Sequence, residues 1–376
     1  MEMRARGKGT LRVLMISLLL GLAVGFLLGY EVGKRISPAG GSLEIIMVYG
    51  SEKREWIEAV VPEFERWYEE RYHRAVRVIC IPMGSGKSMS QILLGQIKPV
   101  VWSPASSVWI PLMNYLWEQD HPDLVRERGP IVTDWEPLVS SPIVIITWGE
   151  LQATWNITGF RKLYELVEAG ADVKFSHTDP FLSNSGLMAV LLELVAATGK
   201  EPPELTVEDM MDEEVRAFIR AIEARAVDYM SSTGFMVDSM VSEGPGKKNV
   251  VVAYENLVIL YNRIGTRWGR LVAVYPEEGI LMSDHPFCVL NAPWVSREQE
   301  EVARALLRFL LRADIQARAM RYGFRPENDT VELDPSVFGP AMGVELDLSA
   351  YGELSVGGMR GEVALFLPDL WLACRP

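Results

Sequence analysis

The feature that most constrains this fold is a regular alternation, from Leu43 onward, of short apolar runs and segments with helical periodicity. The run at residues 43–49 precedes a segment in which Trp56, Val60 and Phe64 recur every three or four positions, which predicts a helix. Further runs that predict strands follow at residues 76–81, 100–102, 143–147, 173–176, 250–254, 271–275 and 286–290. Helices are predicted between them, among others at residues 185–198 and 207–227. This alternation predicts an α/β fold with a mostly parallel sheet.

The first 42 residues have a different character. Residues 13–30 are 18 consecutive positions without a charged side chain, and they follow Arg4, Arg6, Lys8 and Arg12. A helix of this length spans about 27 Å, enough for a bilayer core. We therefore expect a basic cytoplasmic stub, one N-terminal transmembrane or signal helix and a flexible tether in residues 1–42. An uncleaved anchor is favoured over a cleaved signal, because no clear cleavage site follows Tyr30. In both cases the body of the protein lies outside the cytoplasm.

Charge and cysteine content exclude several classes of protein. The net charge of −13 divides into +4 for residues 1–41 and −17 for the remaining 335 residues. A body this acidic is unsuited to neutralising the phosphates of a nucleic acid. Three cysteines and four histidines provide little material for a zinc site or a disulfide framework. Cys80, Cys288 and Cys374 are interpreted as buried thiols, with a Cys80–Cys288 bridge left open, and neither a metal nor a cofactor is expected.

Small polar residues and glycines recur where a predicted strand or loop leads into a helix. Ligands of open α/β sheets bind beyond the carboxyl ends of the strands, where such loops converge. Free N–H groups at a helix start bind anions or polar oxygens. A single serine at such a position usually only caps its helix, but five loops together favour one shared polar site. The candidate ligand-binding residues of these loops are Gly50, Ser51, Gly84, Ser85, Gly86, Ser103, Ala105, Ser183, Asn184, Ser185, Ser232 and Thr233.

Motifs for catalysis are weaker. Residues 84–88 read Gly-Ser-Gly-Lys-Ser, but Ile81 stands where a nucleotide-binding P-loop has its first glycine. The pairs His177/Asp179 and Asp284/His285 lack metal-ligand spacing, so structural hydrogen bonding is favoured for them. No Gly-x-Ser-x-Gly elbow for a nucleophilic serine occurs in the sequence. We therefore expect no catalytic residues and no enzyme.

Several segments resemble, in the same order, those of extracellular solute-binding proteins of ABC importers. They are residues 45–53, 84–95, 99–105, 177–186, 231–235, 274–279 and 303–326. The resemblance covers about residues 43–328, and it is nearest to the molybdate- and sulfate-type binders. Each motif is weak alone, but the ordered series is fairly specific.

The resemblance implies a type II periplasmic-binding-protein fold, with two α/β lobes, two crossing strands and a ligand between the lobes. Residues 43–140 and 284–330 would form lobe 1, residues 141–283 lobe 2, and residues 331–376 a C-terminal extension. Ser51 and Ser85 match the oxyanion-contacting serines of the molybdate group. A carboxylate would repel an oxyanion, so Glu255 either faces away or indicates a neutral ligand. The looser matches in lobe 2 are Ser183, Asn184, Ser185, Ser232, Thr233 and Glu255.

The expected function is that of a membrane-anchored, monomeric receptor that passes a small polar ligand to an ABC permease. Molybdate, tungstate or sulfate is the favoured ligand, and a neutral solute such as a sugar is the alternative. A membrane-anchored sensing or protein-interaction domain is a second alternative. A hydrolase would need two titrating side chains that converge in the cleft. Because the body is acidic, binding of an anion has to rest on local dipoles in the Ser/Gly loops.

Overall fold

In a computed structural model of the chain, residues 42–356 and 358–376 are described. The expected membrane segment at residues 13–30 and nearly all of the tether lie outside the described residues. Among the described helices, none combines the length and the apolar character needed to cross a bilayer.

The described residues form two β-sheets that are covered by helices. The strands are β1 (Leu43–Tyr49), β2 (Val76–Pro82), β3 (Val101–Ser103), β4 (Trp135–Pro137), β5 (Val139–Trp148), β6 (Phe175–Thr178), β7 (Ala226–Met230), β8 (Val250–Tyr254), β9 (Leu271–Val274), β10 (Met282–Ser283), β11 (Pro286–Val289) and β12 (Arg325–Pro326). Sheet 1 has five strands in the order β2-β1-β3-β11-β4, and sheet 2 has seven, with β10-β5-β8-β6-β7 in line and β9 and β12 paired to β5.

The α/β fold is as expected, but the expectation of a mostly parallel sheet is wrong, because both sheets are mixed. In sheet 1, β1 and β3 are parallel and β11 runs antiparallel to β3 and β4. In sheet 2, β6 is parallel to β7 and β8, whereas β5 is antiparallel to β8, β9, β10 and β12. Strand β5 is antiparallel to β8, and β11 is antiparallel to β3. Each of them begins directly after the chain passes from one sheet to the other.

Helices follow most strands, as their periodicity predicts. Those on sheet 1 are α1 (Arg54–Tyr72), α2 (Ser85–Leu93), α3 (Trp109–Asp120) and α4 (Pro122–Arg128) and, after the return of the chain, α12 (Arg297–Leu310) and α13 (Ala313–Ala319). Those on sheet 2 are α5 (Gly149–Trp155), α6 (Phe160–Glu168), α7 (Asn184–Thr198), α8 (Val207–Met211), α9 (Glu213–Glu223), α10 (Thr233–Glu243), α11 (Glu255–Ile264) and α14 (Gly361–Cys374). We call the two groups of elements the sheet-1 half and the sheet-2 half.

Two helices of the sheet-2 half depart from simple amphipathic patterns. The single helix predicted at residues 207–227 is divided at Asp212, whose side chain accepts hydrogen bonds from the backbone N–H groups of Glu214 and Val215 and so starts a new helix. Helix α7 is buried along almost its whole length, as expected of a helix that is apolar on all sides. Its Glu193 is therefore buried as well.

The C-terminal segment packs on the sheet-2 half. Phe338, Val344 and Leu354 are buried there, and α14 contacts α7 and α9 with a face that includes Trp371. The three cysteines are free thiols, so the Cys80–Cys288 bridge is not formed.

The chain passes between the two sheets at short buried crossovers. One residue, Leu138, separates β4 of sheet 1 from β5 of sheet 2. Two residues, Asp284 and His285, separate β10 of sheet 2 from β11 of sheet 1. A third passage leads from α13 to β12, which pairs with the start of β5. Loops of the two halves meet beside these crossovers.

Candidate functional site

Four of the loops predicted to bind ligand lie at helix starts. Gly50 precedes the 3-10 turn Ser51–Lys53, which leads into α1, and Gly84 precedes α2. Ser183 and Ser232 are the N-cap residues of α7 and α10, yet neither hydroxyl accepts a hydrogen bond from its own helix. Elsewhere in the described chain, Thr206, Asp212 and Ser296 cap their helices through their side chains. Ser183 and Ser232 therefore do not perform the capping role that serine usually has at this position.

The hydroxyl groups instead meet between the two halves, in a contact region that we call the seam. We define it by residues 50–53, 84–87 and 103–109 of the sheet-1 half and residues 181–186 and 231–234 of the sheet-2 half. Across it, the Ser51 hydroxyl hydrogen-bonds that of Ser232 and accepts a hydrogen bond from the backbone N–H of Gly234 at 3.3 Å. Within the sheet-2 side, Thr233 Oγ1 lies 3.1 Å from Ser183 Oγ and 2.9 Å from Ser185 Oγ. All of these side chains are buried.

Two glycines allow the start of α2 to touch the sheet-2 half. A Cβ atom on Gly84 would lie 2.5 Å from the carbonyl oxygen of Ser231, and one on Gly86 would lie 2.1 Å from that of Phe181. The backbone N–H of Lys87 donates to the carbonyl of Leu182 at 3.0 Å. Any side chain at these glycines would therefore hold the halves apart.

Asn184 joins both halves and the crossover through its amide. Its Oδ1 accepts a hydrogen bond from the indole N–H of Trp109 at 2.9 Å. Its Nδ2 donates to the Tyr254 hydroxyl at 3.1 Å and to Ser283 Oγ at 3.2 Å. Sequence analysis did not select Trp109, Tyr254 or Ser283. Tyr254, the last residue before a predicted helix, stands at a position of the kind that defined the other candidates.

The remaining loop of the sheet-1 half is joined to α2. Ser85 Oγ accepts a hydrogen bond from the backbone N–H of Ala105 at 3.0 Å, which connects two of the predicted loops. The Ser103 hydroxyl is buried and has no hydrogen-bond partner among the described residues.

Glu255 does not present a free carboxylate to the seam. Arg325 binds it in a bidentate manner, with Nε 2.9 Å from Oε2 and Nη2 2.8 Å from Oε1, and the Tyr275 hydroxyl donates to Oε1 as well. Burial raises the pKa of Glu255, and Arg325 acts in the opposite direction. Because both carboxylate oxygens are engaged, Glu255 adds no uncompensated negative charge next to a ligand.

A compact charged cluster lies directly behind Ser51. Lys53 Nζ is 3.3 Å from Glu52 Oε1, 3.1 Å from His285 Nδ1 and 3.1 Å from the carbonyl oxygen of Pro104. Burial raises the pKa of Glu52, but Lys53 and His285 outweigh this and lower it to about 2. Burial and the charge of Lys53 lower the pKa of His285 to about 4. At neutral pH Glu52 is therefore ionised and the His285 imidazole is neutral. Burial lowers the pKa of Lys53, and the neighbouring Glu52 acts in the opposite direction.

Apart from the paired Glu52 and Lys53 and the exposed Lys87, the seam offers neutral hydrogen-bonding groups to a ligand. These are hydroxyls, amides and backbone N–H groups at the starts of three helices. The structural role expected for Asp284 and His285 agrees with their hydrogen bonds to the Ser107 backbone and to Lys53. In the part of the chain that the structure describes, no cluster of three or more His, Cys, Asp or Glu side chains is arranged to hold a metal ion.

Comparisons with known proteins agree with this geometry. A family model described as "Bacterial extracellular solute-binding protein" matches residues 45–325. A search of curated proteins finds no significant match.

Solved structures with the same fold include periplasmic binding proteins of low sequence identity. The periplasmic thiamin binding protein has a TM-score of 0.64 at 12% identity, over 90% of this chain and 98% of its own. AfuA from Actinobacillus pleuropneumoniae, with fructose-6-phosphate bound, has a TM-score of 0.60 at 14% identity, over 89% and 98%. The sulfate-binding protein SubI from Mycobacterium tuberculosis H37Rv has a TM-score of 0.55 at 20% identity, over 78% and 90%.

Proposed function

This chain belongs to the bacterial extracellular solute-binding proteins, and from that premise we propose that it binds a small oxyanion at the seam and delivers it to an ABC permease. Molybdate, tungstate and sulfate are the favoured ligands. The expected lobes, residues 43–140 with 284–330 and residues 141–283, would move against each other on binding. The expected anchor at residues 13–30 would keep this receptor at the outer face of the cell membrane.

The observation that carries the proposal is the convergence, from both halves, of helix starts whose own N-cap side chains do not cap them. Helices α2, α7 and α10 begin at the seam, and the 3-10 turn Ser51–Lys53 leads into α1 there. Each helix start carries a partial positive charge, so several of them stabilise an anion without a cationic side chain. The N–H groups of Lys87 and Gly234 bond across the seam in this arrangement, and they would become available to an anion when the halves separate. A dehydrated oxyanion accepts such charge-assisted hydrogen bonds from N–H and O–H donors.

The engagement of Glu255 by Arg325 removes the repulsion that argued for a neutral ligand. Two of the structural neighbours bind anionic groups, namely the sulfate-binding protein SubI and AfuA with its bound fructose-6-phosphate. Since Ser51 and Ser232 bond directly, a ligand between them requires the halves to separate first. Binding would then favour the closed arrangement by completing contacts with both halves.

Isothermal titration calorimetry of the full chain with molybdate, tungstate, sulfate and phosphate tests the proposal. One-to-one binding of at least one anion is expected. Ser232→Ala should weaken that binding about tenfold or more, because a hydrogen bond to a charged group is lost. The matched control is Ser296→Ala, which removes a helix cap on the surface and should cost about 1 kcal/mol of stability without changing affinity. Heat with maltose or glucose but with none of the anions would instead identify a receptor for neutral solutes.

A further inference from the structure

The crossover between β10 and β11 contains an unusual backbone conformation. His285 has φ 41°, in the left-handed region that non-glycine residues rarely occupy. Only two other non-glycine residues in the described ranges have positive φ, and both, His73 and Asn156, terminate helices, where this conformation is common. His285 ends no helix, so its surroundings must impose the conformation.

Those surroundings are the ligand loops of the sheet-1 half. The backbone N–H of His285 donates to the carbonyl of Ala105 at 3.2 Å. Its Nδ1 lies 3.1 Å from Lys53 Nζ and 3.3 Å from Glu52 Oε1, and these two residues directly follow Ser51. Gly50 makes this arrangement possible, because a Cβ atom there would lie 2.0 Å from Glu52 Oε1. A single crossover residue thus holds both the Ser51 loop and the Ala105 loop.

The same imidazole also contacts the other half. Its ring lies edge-on to that of Tyr254, at 5.5 Å between centroids, and Tyr254 accepts a hydrogen bond from Asn184. The two residues that precede His285 likewise form hydrogen bonds with different halves. Ser283 accepts from Asn184 of the sheet-2 half, whereas Asp284 accepts from the Ser107 backbone of the sheet-1 half at 2.8 Å. A rotation of one half against the other must therefore move His285 relative to either Lys53 or Tyr254.

We propose that His285 is a positioning residue for ligand binding, which transmits the angle of the crossover to the Ser51 and Ala105 loops and so fixes where they stand when the halves close. The proposal rests on the proposed function, because it assigns to His285 the alignment of the ligand loops. We do not propose that His285 contacts the ligand, because its imidazole lies behind Ser51 and is buried.

The test compares His285→Gly with His73→Gly in the full chain. Both substitutions relax a positive φ, but only the first removes a side chain that joins the two halves. Two readouts are needed: the dissociation constant for molybdate and the distribution of distances between spin labels at Glu70 and Glu168. The labels are attached through a non-cysteine amino acid because the native thiols would react. Both positions are exposed, one on α1 and the other on α6.

His285→Gly is expected to broaden the distance distribution and to weaken molybdate binding about tenfold, mainly through faster dissociation. His73→Gly should behave as wild type, and His285→Asn, which tolerates the left-handed conformation and keeps a polar side chain, should recover part of the loss. If His285→Gly does not fold, the test rests on His285→Asn, for which a smaller broadening of the distance distribution is expected. Wild-type values for both readouts in a folded variant would overturn the proposal. If wild type does not bind molybdate, the dissociation constant is measured with whichever of tungstate, sulfate or phosphate it binds. If it binds none of the four anions, the oxyanion proposal fails while the distance distribution still tests His285.

Discussion

Each half of the molecule contains a buried ionisable cluster behind the seam, and the two differ in how their charges are balanced. In the sheet-1 half, Glu52 and Lys53 form an ion pair next to a neutral His285. In the sheet-2 half, two glutamates, Glu193 and Glu223, are buried together beside one histidine. The first cluster pairs a carboxylate with a lysine, whereas the second places two carboxylates beside a histidine.

The sheet-2 cluster is held by hydrogen bonds from three elements. His177 Nε2 lies 2.7 Å from Glu223 Oε1, and the Tyr229 hydroxyl donates to Glu223 Oε2 at 2.6 Å. Burial and the neighbouring Glu223 raise the pKa of Glu193 well above its usual value. Burial lowers the pKa of His177, but Glu223 outweighs this and raises it. Trp371 of α14 covers the cluster, with its ring 5.0 Å from that of Tyr229.

The comparison teaches that the two clusters respond to different perturbations. Removing one ion from the sheet-1 cluster leaves a buried charge without a partner, which is among the most destabilising single changes. Replacing Glu193 by its neutral isostere removes a carboxyl group whose protonated form is favoured by burial and by Glu223, so the change should be milder. A change of pH near neutrality should instead affect the sheet-2 cluster more. The pKa values of Glu193 and His177 are raised, whereas those of Glu52 and His285 lie at about 2 and about 4.

The largest effect is expected from Lys53→Met. The substitution leaves the Glu52 carboxylate buried without its cation, so the free energy of unfolding should fall by about 3–5 kcal/mol. Urea denaturation followed by circular dichroism measures this. The double variant Glu52→Gln/Lys53→Met removes both charges and should recover most of the loss. An additive double variant, no more stable than Lys53→Met alone, would show that the pair is not the stabilising unit.

A change of pH is expected to have a smaller effect on the free energy of unfolding. The sign of that effect differs between the two clusters and so distinguishes them. Groups whose pKa is raised on folding, here Glu193 and His177, hold their protons more tightly in the folded state, so their contribution to stability falls as pH rises. For Glu193 the fall begins near the pKa of an unfolded glutamate, and for His177 it begins near that of an unfolded histidine. His285 has the opposite sign, because its lowered pKa makes stability rise with pH between about 4 and the unfolded value.

The variant Glu193→Gln isolates one contribution. The difference in unfolding free energy between wild type and Glu193→Gln should change by up to about 1.4 kcal/mol per pH unit between pH 5 and 7, with wild type losing stability relative to the variant. Subtracting the two curves cancels the titrating groups that do not interact with Glu193, and the difference reports Glu193 together with the coupled Glu223. A difference that does not vary with pH would mean that Glu193 is ionised throughout.

The fold was largely predictable from the sequence because its signals are local. Apolar runs, helical periodicity and the Ser-x-x-Gln capping box at Ser296 each depend on residues within a few positions of one another. The direction of β5 and β11 was not predictable in this way, since it depends on where the chain passes between the sheets. The division of the helix at residues 207–227 was in principle visible, because Asp212 is a strong N-cap residue.

The candidate site was likewise predictable only where its signals are local in the sequence. Serines and glycines before helices have a recognisable local pattern, and the structure brings most of them to one seam. The pattern did not include Trp109 or Ser283, which reach Asn184 from distant parts of the chain. Nor did it include the ion cluster, since Lys53 and His285 are 232 positions apart. Contacts of this range are created by the two-half topology rather than by local sequence.

The smallest effect is expected for the dependence of ligand affinity on pH. Ser51 adjoins the cluster whose titrations lie well below neutral pH, with a pKa of about 2 for Glu52 and about 4 for His285. On the opposite side, Ser185 is joined to the titrating cluster only through Thr178, next to His177. The affinity for molybdate should therefore change by less than about twofold between pH 6 and 7.5, while stability declines over the same range. Calorimetric titrations at four pH values measure this, with buffer protonation enthalpies matched. An affinity that follows the stability curve would show that the proton-dependent cluster controls the seam, and the contrast between the two halves would then concern binding as well as folding.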